Sequence, residues 1–186
     1  MFWFSNVRFT PAAAPPLVGK APDESVEGRI PAWAVSPTLS GLPPDGALPS
    51  PSGAWTSLQT EPSGLANLAF ARSLSRERDT AIACATIRVG EASRRRLRFG
   101  FSEHARVWLN GIPLFDGDEV WHERDITFQG IVGDWYALWL ALEAGDNELC
   151  FGVTENVQMR AGWGFTAAFD DASGLQFSTP RATIPE

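Results

Sequence analysis

A chain of 186 residues with 44% hydrophobic content is long enough to bury one real core, and its length suits a single domain with an appendage. The net charge of −7 offers no electrostatic footprint for a phosphate backbone, which sets nucleic acid aside as a partner, and no apolar run is long enough to span a bilayer. Eight Trp and twelve Phe against one Tyr and two Met point to strands, because flat side chains suit a pleated, half-buried surface. In chain order, Phe2 to Phe9 reads as an aromatic strand stopped by Pro11. It carries no early positive charge and no sustained apolar run, so it is not a secretory signal; the default expectation is a cytoplasmic protein, or an extracellular one if a leader has been cut away. Ten of the fourteen prolines fall between Pro11 and Pro51, which predicts a wrapping loop rather than ladder strands. Within it, Ile30 to Val35 is apolar enough to dock on the body. The expected division is therefore residues 1–51, an N-terminal strand and proline-rich segment, and residues 52–186, the main body.

Trp55 to Leu58 is read as a brief strand, and Gly64 to Phe70 fits either a strand or one helical turn. Ala81 to Val89 is a strand, followed by a polar turn over Gly90 to Arg95; the run Arg94, Arg95, Arg96 is read as its solvated charges. Leu97, Phe99 and Phe101 alternate with Arg98 and Gly100, and Ala105, Val107 and Leu109 alternate with Arg106 and Trp108, so each segment has one apolar face. Asn110-Gly111 then tolerates the positive φ angles of a two-residue hairpin turn. Asp116 to Glu119 is expected to be a loop, and strands are expected over Trp135 to Leu142, Glu148 to Thr154 and Gly162 to Phe169. Evenly spaced strands with frequent turn signals describe an all-β, antiparallel β-sandwich or barrel, and no fixed-period repeat is present. Cys84 and Cys150 lie far apart with no metal-ligand spacing; two buried thiols are expected, and a bridge requires their strands to be neighbours.

Val107-Trp108-Leu109-Asn110-Gly111 and Gly145-Asp146-Asn147-Glu148-Leu149 carry a resemblance. They are similar to the hairpin and turn motifs of galactose-binding-like jelly rolls, the sugar-binding domains that accompany β-galactosidase and β-glucuronidase barrels, over roughly residues 55 to 170. Phe99-Gly100-Phe101-Ser102, Arg124-Asp125, Thr154-Glu155 and Gly162-Trp163-Gly164-Phe165 resemble a subset of uncharacterised bacterial proteins in which such a jelly roll follows a laminin G-like domain. Phe101 stands where that pattern has Tyr. The resemblance implies a jelly-roll β-sandwich, and residues 2 to 9 then look like the closing strand of an upstream laminin G-like partner. It does not imply a particular sugar, since the fold carries many activities.

A sugar site needs flat aromatic platforms and a few fixed polar groups. The candidate platforms are Trp108, Trp121 and Trp163, with Arg106, Asn110, Glu123, Arg124 and Glu155 as polar contacts. Alternation turns Trp108 away from Val107 and Leu109, where it either forms a platform or packs beneath the proline-rich segment. Asp116, Asp118 and Glu119 supply oxygens for a structural calcium, but their spacing is not that of an EF-hand loop, and a solvated acidic loop is the expectation. For catalysis, the residues to examine are Glu103, His104 and Glu155; Ser102, Glu103 and His104 cannot form a triad among themselves, because adjacent strand side chains point to opposite faces.

Three functions follow. The first is a non-catalytic, carbohydrate-directed binding module with no cofactor unless calcium. The second is a small hydrolase or cyclase using acidic residues at one end of the sandwich. The third is an assembly module, as a homo-oligomer or with a neighbouring domain, whose Phe2-Trp3-Phe4 strand adds to a partner's sheet edge.

Overall fold

The computed structural model describes residues 28–119, 132–155 and 162–180. The strand expected over residues 2 to 9 lies outside them. Among the described residues eleven strands and one 3₁₀ turn follow in order: β1 (Ala32–Val35), β2 (Thr56–Gln59), β3 (Leu65–Asn67), the turn Leu68–Phe70, β4 (Thr80–Val89), β5 (Ser93–Phe101), β6 (Glu103–Leu109), β7 (Ile112–Glu119), β8 (Tyr136–Leu142), β9 (Gly145–Thr154), β10 (Gly164–Phe169) and β11 (Gln176–Ser178). They form two antiparallel sheets, one ordered β2-β1-β4-β9-β6-β7 with β11 also on β4, the other β3-β10-β5-β8. The protein is an antiparallel β-sandwich. No helix among the described residues is long and apolar enough to cross a membrane.

The core lies where the apolar faces of the two sheets meet. From the larger sheet, Ala81, Ala83 and Ala85 of β4 sit opposite Val153, Phe151 and Leu149 of β9, small beside large, which leaves room for aromatic rings. Phe151 stacks on Phe165 of the smaller sheet at 4.5 Å between centroids, and Trp33 meets both rings edge-on at 5.6 and 4.7 Å. Each such ring, fully withdrawn from water, contributes about 1.5–3 kcal/mol. β5 ends at Phe101 and the chain crosses at once into β6 of the other sheet, with Glu103 at φ 50° making the turn.

Four local expectations are revised. The segment Ile30 to Val35 docks as expected, but as an integral strand, since β1 pairs with both β2 and β4. Gly64 to Phe70 is both alternatives in succession, β3 and then the 3₁₀ turn capped by the Asn67 side chain. Arg94, Arg95 and Arg96 are not a turn: they lie in β5, opposite Ala141, Leu140 and Trp139 of β8. Asp116 to Glu119 is not a loop but the end of β7, paired with Arg106 to Glu103. In both cases polar residues occupy a strand because pairing with a neighbour supplies the backbone hydrogen bonds, and one face of the strand stays in water. The Asn110-Gly111 hairpin is present, with φ 51° and 78° as a type I′ turn needs.

The outer face of the larger sheet is covered as well. Ile82, Cys84, Trp108 and Cys150 form a second buried cluster under Leu39, Leu42, Leu48 and Trp55 of the proline-rich segment. Gly152 permits this approach, since a Cβ there would lie 2.7 Å from Leu42 and 2.9 Å from the Trp108 ring. Cys84 and Cys150 are directly opposed in β4 and β9 with Cα atoms 4.2 Å apart, and they are bridged, which replaces the expectation of two free thiols. The spacing is that of a cross-strand pair brought close by the ladder, a proximity that only the strand order creates.

Candidate functional site

At one end of the sandwich three chain segments converge. β9 finishes at Thr154, and the next N–H, that of Glu155, donates to the Asp79 carbonyl at 2.9 Å. The crossing from β5 to β6 holds Ser102, whose N–H donates to the Gly164 carbonyl at 3.0 Å and whose Oγ accepts from the Gly164 N–H at 3.1 Å. Trp163 is anchored by its indole N–H on the Val153 carbonyl at 3.1 Å and accepts from the Leu68 N–H at 2.9 Å. Between them opens a cavity of about 330 Å³ lined by Ala69, Arg72, Leu74, Glu155, Gly162 and Trp163. Arg72 is spent on structure: its guanidinium donates to the carbonyls of Ser36, Val35 and Ala54, tying the covering segment to this end.

Glu155 is the chemically unusual member. It is 2% exposed, and neither carboxylate oxygen has a hydrogen-bond partner of proper geometry among the described residues. Burial raises its pKa to about 7; the nearby Ser102 hydroxyl partly offsets this and the charge of Glu103 adds to it. Glu103 itself is pushed above the ordinary value by burial. Glu103 is thus brought near Glu155 and Trp163, which lie some fifty residues or more further along the chain. What results is a small, half-apolar cavity with a carboxyl group able both to accept hydrogen bonds and, near neutrality, to donate one.

A consequence for stability follows. The unfolded chain releases this proton near 4.5 and the folded protein near 7, so between those pH values the folded state binds more protons and stability falls as pH rises. The loss approaches about 3 kcal/mol once Glu155 is ionised in both states. Glu155→Gln should remove this slope and be the more stable protein at pH 8, with little difference at pH 4. Denaturant titrations at the two pH values read it directly, and parallel pH profiles for both proteins would contradict a buried, unpaired carboxyl.

The remaining candidates serve the scaffold. Trp108 is on the outer side of its strand, as alternation requires, yet it is 0% exposed and its indole N–H donates to the Gly46 carbonyl at 2.8 Å. As an open platform it is therefore withdrawn, because the proline-rich segment seals it. Arg106 donates to the Pro43 carbonyl and to Asp116, and lies 5.9 Å from the Trp108 ring centroid. Asn110 accepts from the Glu148 N–H at 2.8 Å and donates to Asn147, which is wholly buried and hydrogen-bonded to Glu143 and Ile87; the two asparagines of the hairpin and turn motifs hold turns.

His104 turns to the other face from Glu103, its Nε2 2.7 Å from Asp116. Burial opposes ionisation of Asp116, but hydrogen bonds and charge from Arg106 and His104 outweigh it and lower its pKa. Asp116 and Asp118 share one face of β7 and Glu119 lies on the other, Asp116 facing His104 and Glu119 accepting from the Tyr136 hydroxyl. Among the described residues the one group with metal-ligand spacing is Cys84, Glu148 and Cys150, whose two sulfurs are bonded to each other. Trp121, Glu123 and Arg124 lie outside the described residues. Sequence reading passed over Trp139, which is 61% exposed on β8; the signal was its place in Ala137-Leu138-Trp139-Leu140-Ala141, opposite in phase to the buried Leu140.

No family model matches the chain, and no curated protein does. Solved structures similar to it include a β-glucosidase from Kluyveromyces marxianus in complex with glucose (15% identity, TM-score 0.43, covering 75% of this chain and 15% of that one). A GH2 β-galacturonidase from Eisenbergiella tayi bound to glycerol is similar at 13% identity and TM-score 0.45, covering 75% of this chain and 23% of that one. A Faecalibacterium prausnitzii β-glucuronidase is similar at 15% identity and TM-score 0.40, covering 67% and 20%. The chain spans less than a quarter of each of these structures, and what those enzymes act on is theirs.

Proposed function

We propose that the protein is a non-catalytic, carbohydrate-directed binding module of the galactose-binding-like type, with the Glu155 cavity as its ligand site. The observation that carries this reading is the buried carboxyl of Glu155, whose oxygens have no well-formed hydrogen bond among the described residues, inside a cavity walled on one side by Trp163. A buried polar group without a partner costs free energy, and a ligand that supplies hydroxyls removes that cost. A neutral polyol suits it better than a cation, because a carboxyl poised near neutrality can accept from one hydroxyl and donate to another. At about 330 Å³ the cavity is at the small end of ligand sites, which fits a single sugar ring or chain end.

Glycan-array screening followed by calorimetry on the full chain tests this. Glu155→Gln and Glu155→Ala should weaken binding about tenfold or more, the worth of one charge-assisted hydrogen bond. Undiminished binding by Glu155→Ala would remove the site. A second reading, a small hydrolase, is favoured by the same group's pKa of about 7 beside a second carboxylate, as a general acid needs. Turnover of aryl glycosides abolished in Glu155→Gln would select it over binding alone. The bridge between Cys84 and Cys150 also supports work in an oxidising compartment rather than the cytoplasm.

A further inference from the structure

Among the described residues the outer face of the smaller sheet is exposed around Trp139, and its composition is not that of an ordinary solvated surface. Pairing places Ala141 of β8 beside Arg94 of β5, Trp139 beside Arg96, and Ala137 beside Arg98, which in turn lies beside Ala168 of β10. Trp139 stands 61% exposed between the small side chains of Ala137 and Ala141 along β8, with Arg96 directly across from it. From Arg94 to Gly100 this face runs about 20 Å, at the usual rise per strand residue. It ends against the Gly133 carbonyl over Gly100, where a polar cavity of about 120 Å³ is lined by Arg29, Ser63, Asp134 and Thr166. Ser63 and Asp134 are exposed there, whereas Thr166 is buried with its hydroxyl sealed from solvent.

Charge on the face is unbalanced in a chain that is otherwise acidic. Arg96 and Arg98 share Asp170 at 2.9 and 2.6 Å, and Arg98 also faces Asp134 at 3.6 Å. Arg94 has no carboxylate partner among the described residues; its guanidinium rests 5.9 Å from the Trp139 ring centroid. That is near the outer limit of a cation–π contact, so little is lost when the guanidinium turns to a ligand. A flat ring, an adjacent cation with no carboxylate partner among the described residues, fixed ion pairs and a polar cavity further along describe a ligand that is at once ring-bearing, anionic, hydroxylated and extended.

We propose that this face binds an acidic glycan, a uronic-acid-containing oligosaccharide, with one sugar ring stacked on Trp139, its carboxylate paired with Arg94, and the chain running along β5 toward Ser63 and Asp134 of the polar cavity. The stack uses the apolar side of the ring, the guanidinium selects for the carboxylate, and the hydroxyls meet the polar groups at the far end. This surface lies apart from the Glu155 cavity and does not depend on it.

The test is calorimetry on the full chain with oligogalacturonates as the probe, against neutral gluco-oligosaccharides of equal length and a single-stranded oligonucleotide of equal charge. The uronate should bind, and the neutral oligosaccharide should bind about tenfold more weakly or not at all, since it forgoes a charge-assisted contact. Trp139→Ala should abolish binding of the uronate, Arg94→Gln should reduce it to the level of the neutral sugar, and Glu155→Gln should leave it unchanged. Both substituted side chains are exposed, so the fold survives their loss. Affinity should also fall as salt is raised. Equal binding of neutral and acidic sugars, uronate binding that survives Trp139→Ala, no uronate binding at all, or preference for the oligonucleotide would each overturn the proposal.

Discussion

Cys84→Ala/Cys150→Ala should unfold about 4 kcal/mol more easily than the bridged protein, the chain-entropy value for a bridge closing 66 residues. The bridge joins positions already opposed in a ten-residue ladder between β4 and β9, so the folded state gains little order from it. Its effect lies chiefly in the unfolded chain, which it prevents from separating two strands that must pair across a long stretch of sequence. Guanidinium unfolding with and without a dithiol reductant measures this. Reduction should lower the midpoint of the natural sequence toward that of the double variant and leave the double variant unmoved. Identical midpoints in all four conditions would mean that the two sulfurs are not joined in solution.

Trp108→Ala should cost a similar amount, about 3–5 kcal/mol, the usual range for emptying a large aromatic site. The indole fills the space between the bridge and the proline-rich segment, and its N–H is the partner of the Gly46 carbonyl. Removing it leaves a void and an unpaired carbonyl together. Trp108→Phe should recover part of the packing but not the hydrogen bond, and limited proteolysis should find residues 40 to 50 opened in Trp108→Ala before the rest of the chain. Because Trp108 touches the bridge cluster, its substitution and loss of the bridge should not add in the combined variant. A Trp108→Ala protein of unchanged stability that had lost glycan binding would return the indole to the ligand surface.

These two effects mark where local reading stopped. Alternation around Asn110 correctly divided Trp108 from Val107 and Leu109, since the side of a strand is settled by its own backbone. Whether that side faced water depended on where residues 36 to 55 lay, and proline content suggested a wrapping segment without saying which surface it wrapped. Glu155 and Trp163 were legible as polar and aromatic groups near the ends of strands; that they share a cavity with Glu103 nearby required the β5 to β6 crossing at Ser102. Arg94 to Arg96 looked like a turn because charge usually marks one, and became a strand because β8 came to lie beside it.

By itself the sequence determined an all-β chain, most of its strands, the type I′ turn at Asn110-Gly111 and the side of its strand to which each side chain of β6 belongs, because those depend on neighbours in the chain and on the pleat. The order of strands within sheets, the closure of Cys84 on Cys150, the sealing of Trp108 and the burial of the Glu155 carboxyl were decided by tertiary structure. Each is a contact between segments remote in sequence, formed where folding has already met the entropy of bringing them together, and no local pattern carries that information.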